Sequence, residues 1–514
     1  MKKNTPATEA AKPASSVKNA KKTSAKKSEE PTKPEKSALA SVIMPASLNI
    51  RSYQVGFGDC YLLTFNYPEA ANADDRMRHI LIDFGSTALP PGTPPDQMMR
   101  VAQDIKQQCE GKLHVVVATH RHKDHISGFT TQEDGSGTGD IIARLKPEAV
   151  IQPWTEDPEA FDPVINSPKA KMGESKTPMG DNAPNLHQMQ AMHVSSLMNM
   201  HTVSEAMLAE VRHISDERVL KQPLGAGLAE KIRFLADDNA LPNKSAVENL
   251  QRMGKNHYVS HGSQLNLSKL LPGIGISVLG PPTLEQHEAI KKQRSADKNE
   301  FWMLRAAAQK FWGQQAATGK MLDESTSDEK FTSDEDELFP NADTFSKIIP
   351  SHNRWFVRQL RAMRGEQMLG LVRILDKAMN NTSVILLFDV GGKKLLFSGD
   401  AQIENWEYAL SLDEDVAQLK DVEVYKVGHH GSRNATPKTL WKTFEHKSEK
   451  AAAGKTRLKT LVSTMEGKHG SRANHSEVPR QTLVAALNQS SEYHTTETAA
   501  REGKLFEDIE ITFP

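Results

Sequence analysis

The segment VVVATHRHKDHISG, residues 115–128, places His120, His122, Asp124 and His125 within six positions, directly after an apolar run. Neutral imidazole binds metal well near pH 7, and imidazole combined with carboxylate suits zinc, manganese or iron(II). Residues 113–118 are short, apolar and β-branched with no helical period, so they read as a buried strand. A turn at the end of such a strand can aim several side chains at one point. A solvated charged turn would impose no order on its His and Asp residues. The order HxHxDH straight after a strand is specific, and it points to a metal centre.

The flanking chain supplies elements able to position such a turn. LNIRSYQVGFGDCYLLTF (residues 48–65) reads as strand, Gly-rich turn, strand, and RHILIDFGS as a further buried strand ending in Asp83. A helix is expected over 92–111, another over 140–145, and a strand over AVIQPW, which gives βα alternation. The strand signal returns in LPGIGISVLGPP (271–282). It continues in NNTSVILLFDVGGKKLLFSGD, two strands joined at a Gly-Gly turn and ending in Asp400. DVEVYKVGHHGS is a strand ending in the adjacent His429 and His430, and LKTLVSTMEGKHGSRANHSEVPRQTLVAAL reads as strand, long turn, helix.

Between these parts the character changes. Residues 156–259 are rich in Met, His, Gln and Ala at helical spacing and read as a helical insertion; His187, His193, His201 and His213 form no tight ligand set. A second insertion, 283–377, carries the acidic stretch DESTSDEKFTSDEDELF, expected as a surface loop. Residues 1–47 are a Lys-rich tail with too little apolar surface to offset ordering entropy, so they are expected to be disordered. Residues 48–514 then form one interrupted domain.

Composition narrows the class. A net charge of −1 favours no polyanionic partner by itself, and the Lys-rich tail could hold nucleic acid loosely or simply aid solubility. Two cysteines, Cys60 and Cys109, cannot build a disulfide framework and are expected as buried thiols. No apolar run approaches a membrane span, and the amino terminus lacks the apolar centre of a secretory signal. The expected location is the cytoplasm, with no membrane partner.

THRHKDHISG resembles the second motif of the metallo-β-lactamase-fold hydrolases. GFGDCYLL with LIDFGS, then VLGPP, the NNTSVIL…GG…LLFSGD hairpin and KVGHHGS are similar to the soluble domain of ComEC-type competence proteins. The resemblance covers roughly residues 48–155, 260–282 and 378–510, leaving the two insertions unmatched. It implies an α/β fold, the metallo-β-lactamase-type αβ/βα four-layer sandwich with helical insertions, with metal held at strand ends between two sheets.

The resemblance also implies roles. His120 and His122 would hold a first divalent ion, Asp124, His125 and His429 a second, with Asp400 shared and Asp83 orienting the site. Two divalent ions, Zn2+ or Mn2+, are the implied cofactors. Many members carry a third His before the strand SVILL, where this chain has Asn380 and Asn381; an amide oxygen or water there shifts preference toward harder ions such as Mn2+. Asp124, His430 and His475 are the candidate catalytic residues, His430 facing substrate or transferring a proton. His475 lies in ANHSEVP, where the related GHPxP motif has a Gly and a first Pro that are missing here. Ser432 would hold a nonbridging oxygen or cap its turn. The implied function is a metal-dependent phosphodiesterase or nuclease acting through hydroxide generated at the metals. The alternatives are a hydrolase of a small ester, lactone, amide or phosphocholine-type substrate, and a non-catalytic metal-binding regulator.

Overall fold

The computed structural model describes residues 43–68, 76–161, 244–287, 379–432, 436–450, 456–468 and 477–514. Most of both insertions, nearly all of the Lys-rich tail and His475 lie outside the described residues.

Strands β1 (Ser47–Tyr53), β2 (Cys60–Asn66), β3 (Met77–Phe84), β4 (Val115–Val117), β5 (Ala149–Pro153) and β6 (Lys255–Val259) belong to one sheet. Strands β7 (Ile274–Gly280), β8 (Ile385–Val390), β9 (Lys393–Phe397), β10 (Val422–Lys426), β11 (Lys459–Val462) and β12 (Glu492–Thr495) form another. A last strand, β13 (Phe506–Thr512), returns to the first sheet, whose order is β13-β1-β2-β3-β4-β5-β6; the second runs β12-β11-β10-β9-β8-β7. Both sheets are mixed. In the first, pairing is antiparallel up to β3 and parallel from β3 to β6; in the second it is antiparallel from β7 to β9 and parallel from β9 to β12.

Side-chain alternation explains the layering. Ile80, Ile82, Val115 and Val117 pack with Leu386, Phe388, Leu395 and Phe397 in one core shared by the two sheets. Leu81, Val116 and Val150, of opposite parity, pack on Val101 and Ile105 of the helix Gln97–Gln108 and on Leu250 of the helix Lys244–Arg252. On the second sheet Ile385, Leu387, Leu396 and Tyr425 meet Trp406 of the helix Ile403–Leu410 and Leu487 of the helix Gln481–Ser490. Strands covered on both faces must be apolar at every position, which is why VVV and ILL appear as unbroken runs. Fully burying each such side chain stabilises the fold by about 1.5–3 kcal/mol.

The structure departs from the expected boundaries at two places. Lys255–Val259, inside the stretch read as a helical insertion, is the edge strand β6; KNHYV holds too few apolar residues to announce itself. β12 and β13 follow the last helix expected from the sequence, and β13 is half-exposed, with only its Ile509 and Ile511 buried.

Candidate metal centre

Parallel strands direct the residues beyond their carboxyl ends to one edge of a sheet, where ligand sites form. Here β3, β4 and β5 end at Asp83, the HxHxDH turn and Glu156, while β9, β10 and β11 end at Asp400, His429–His430 and Ser463. The two sheets bring these ends together. Asp124, His125, Asp400 and His430, all buried, each offer one ligand atom within 4.8 Å of the others. His120 joins them, its ring centroid 4.2 Å from that of His125, and its Nε2 lies 2.9 Å from Nδ1 of His122.

The turn is built to aim these groups. His122 is extended (φ −60°, ψ 148°) and caps the one-turn helix Lys123–Ile126, which carries Asp124 and His125. Arg121, between the two histidines, turns to a buried ion pair with Glu156. Two glycines admit the turn: a Cβ on Gly85 would stand 2.4 Å from the His125 nitrogen, and one on Gly58 would stand 2.8 Å from the Asp124 oxygen.

Hydrogen bonds fix which atoms face inward. Asp83, at φ 55°, accepts the Thr119 backbone N–H (2.8 Å), the Thr119 hydroxyl (2.7 Å) and the His125 Nδ1–H (2.7 Å). A carboxylate only accepts, so the His125 proton sits on Nδ1 and Nε2 turns inward, 3.2 Å from Asp400 Oδ2. His430 repeats the arrangement: Nδ1–H donates to the Ser463 carbonyl (3.0 Å) and Nε2 lies 2.8 Å from Asp124 Oδ2.

His429 and His430 take places opposite to those expected. His430 is fully buried within the ligand cluster; the His429 side chain is 22% exposed and its Nε2 stands 4.0 Å from Asp400. His429 instead bonds Ser432 Oγ through Nδ1 (3.0 Å) and donates its backbone N–H to Asp400 Oδ1 (3.0 Å). The cause is local backbone. Both residues have positive φ, 44° and 53°, followed by Gly431 at 80°, so strand alternation no longer governs where the side chains go.

Four carboxylates, Asp59, Asp83, Asp124 and Asp400, are buried together, and Lys426 pairs with Asp59 and lies 3.6 Å from Asp400. Burial pushes the His125 and His430 pKa values down, yet the carboxylates, Asp400 foremost, raise both above the usual imidazole range. Asp124 and Asp400 are correspondingly held below the carboxylate range, against burial, by His125 and His430. His120 is lowered by burial and by His125 and His122, which favours the neutral form in which imidazole binds metal. Asp83 is raised by burial.

This donor set fits a divalent cation. His125 Nε2 and Asp124 Oδ1 are buried and make no hydrogen bond, and the oxygen-nitrogen mixture matches the chemistry of zinc or manganese. Buried His and Asp groups able to hold a metal ion are therefore present. Asn380 and Asn381 are buried beside the strand β8, and neither side-chain atom of Asn380 is hydrogen-bonded.

Two residues of the site escaped the sequence reading, Asp59 and Lys426. Asp59 sits in GFGDC and forms a second acidic group with Asp83 and His125. Lys426 ends the apolar strand β10 yet is only 2% exposed, and it is raised well above the usual lysine range by Asp59 and Asp400, against burial. A lysine closing a buried strand was the available signal. No helix among the described residues is long and apolar enough to cross a membrane. No family model matches the chain, and no curated protein matches it.

Proposed function

We propose that this chain is a metal-dependent hydrolase with the metallo-β-lactamase-type αβ/βα sandwich, similar to the soluble domain of ComEC-type proteins, acting on the phosphodiesters of nucleic acid. The observation that carries the reading is the meeting of Asp124 and His125 from one sheet with Asp400 and His430 from the other, inside 4.8 Å. Helices packed on the outer face of each sheet support the sandwich.

His120, His122, Asp124, His125, Asp400 and His430 would hold the cations, Zn2+ or Mn2+. Bound there, two divalent ions supply charge neutralisation for the attacked phosphoryl group and the acidity that activates water. The chain's own contributions are separable. Asp83 and Thr119 lock His125, so its inward nitrogen is presented without reorganisation. Ser463 does the same for His430. Among the described residues, His429, a partly exposed imidazole 4.0 Å from Asp400, would pass a proton to a leaving oxygen, and Ser432 holds its ring.

The test is incubation of the purified protein with linear single- and double-stranded DNA, RNA and bis-p-nitrophenyl phosphate, with Mn2+ or Zn2+. Cleavage lost in His122→Ala is expected. Cleavage of the dye ester alone would retain the reaction class and remove the nucleic acid. Absence of any phosphodiester turnover, with metal demonstrably bound, would transfer the reading to a small ester, lactone or amide.

A further inference from the structure

Asp59 and Lys426 are buried charged groups beside the ligand cluster that the proposed chemistry leaves without work. Asp59 is 0% exposed, and its carboxylate forms a close ion pair with Lys426 Nζ. The ammonium also donates to the Gly399 carbonyl (3.1 Å) and lies 3.6 Å from Asp400 Oδ1. The backbone of Asp59 is bonded to the turns of its own sheet: its N–H donates to the Asp124 carbonyl (2.9 Å) and its carbonyl accepts from Gly85 (3.0 Å). One step away, Ser463 Oγ donates to the Gly58 carbonyl (2.5 Å), and the Ser463 carbonyl receives His430. The short loop before β2 thus holds the ligand-bearing ends of both sheets.

Asp400 shows what the arrangement does. Its Oδ1 is taken by the His429 N–H and faced by the ammonium, while Oδ2 points to His125 Nε2 and lies 3.6 Å from His430 Nε2. Asp59, Asp83 and His125 also form a group with the composition of a cation site, but its Asp59 is already paired with the lysine ammonium. A metal there would have to displace it.

We infer that the Asp59–Lys426 pair is a positioning device, a built-in cation bridge that presents Asp400 through Oδ2 alone to the metals and ties it to the HxHxDH turn. The inference rests on the metal reading above and assigns Lys426 no contact with substrate.

A double-mutant cycle tests it, with Mn2+ affinity and stoichiometry read by paramagnetic resonance and stability by thermal unfolding. Lys426→Met alone leaves Asp59 buried without its cation and is expected to unfold at lower temperature. Lys426→Met with Asp59→Asn removes both charges, and its unfolding temperature is expected to recover toward that of the unaltered protein. Its Mn2+ affinity is expected to stay about 10- to 100-fold weaker, the usual cost of losing a group that orients a ligand. Recovery of both stability and Mn2+ affinity in the double variant would reduce the pair to a structural ion pair and overturn the inference. Should the double variant fail to fold, Asp59→Asn alone decides. The ammonium then has only Asp400 to neutralise, so Mn2+ binding weakens by at least about tenfold, and unchanged binding overturns the inference. An unaltered protein that takes up neither Mn2+ nor Zn2+ removes the metal reading itself and this inference with it, an outcome distinct from the other two.

Discussion

Gly85→Ala offers a sharp test of how the centre is held, because glycine has no side chain that could itself serve as a ligand. The added methyl would stand 2.4 Å from both the Asp124 carbonyl carbon and the His125 nitrogen, whereas ordinary contact begins near 3.4 Å. About 1 Å must therefore be made up by backbone, not by a flexible side chain, in a core that tolerates added volume poorly. The turn has little freedom to yield: Gly85 N–H is bonded to Asp59, whose own N–H is bonded to Asp124. Coordination distances tolerate only about 0.2 Å. A fold-level cost of about 1–3 kcal/mol is expected for the overpacking, together with a metal affinity lowered by at least about tenfold. Urea unfolding and metal content after dialysis against Zn2+ or Mn2+ read the two effects. Gly275→Ala, where the nearest atoms lie at 3.5 Å, is the control and should change neither. Normal stability and normal metal content in Gly85→Ala would refute the claim that close backbone approach sets the geometry of the HxHxDH turn.

Other expectations follow from the same geometry. His430→Ala should abolish uptake of at least one ion while His429→Ala retains metal, as measured by elemental analysis; equal losses would contradict the placement of the two rings. Thr119→Val removes one donor from buried Asp83 and should cost about 1–3 kcal/mol in urea unfolding, with weakened metal binding through His125. Buried His79 and His114, lowered to about 4 and about 3 by burial and by Arg78, are neutral in the folded protein but titrate near 6.5 when unfolded. The unfolded chain thus binds more protons below pH 6.5, so stability is full above that value and falls as pH drops toward 3. His114→Asn should make the dependence of unfolding free energy on pH shallower by about one proton between pH 4 and 6, checked by urea titrations across that range.

What the amino-acid sequence discloses follows from how local each feature is. Strands β3, β4, β8, β9 and β10 were legible because burial on both faces demands unbroken apolar runs. β6 and β13 were not, since an edge strand with one wet face, such as FEDIEIT, carries only a weak alternation. HxHxDH was legible as a metal-ligand pattern because its four groups are neighbours in the chain. The order of His429 and His430 was not, because the rule used, alternation at a strand end, lapses where the backbone enters the left-handed region. Asp59 and Lys426 lie 367 positions apart in number, so their pairing exists only once both sheets have docked.

The pairing of β13 along the whole of β1, from Ser47 with Thr512 to Tyr53 with Phe506, bears on how the molecule is made. During synthesis β1 leaves the ribosome before β13 and waits for this second neighbour until residues 54–505 have followed. Through that interval one side of β1 carries open amides and carbonyls, a template for any stray extended peptide. Long-range closure of this kind is slow. Shielding of the nascent first sheet, by a chaperone or by quick docking of its partner sheet, is therefore a requirement that the topology itself imposes on the cell.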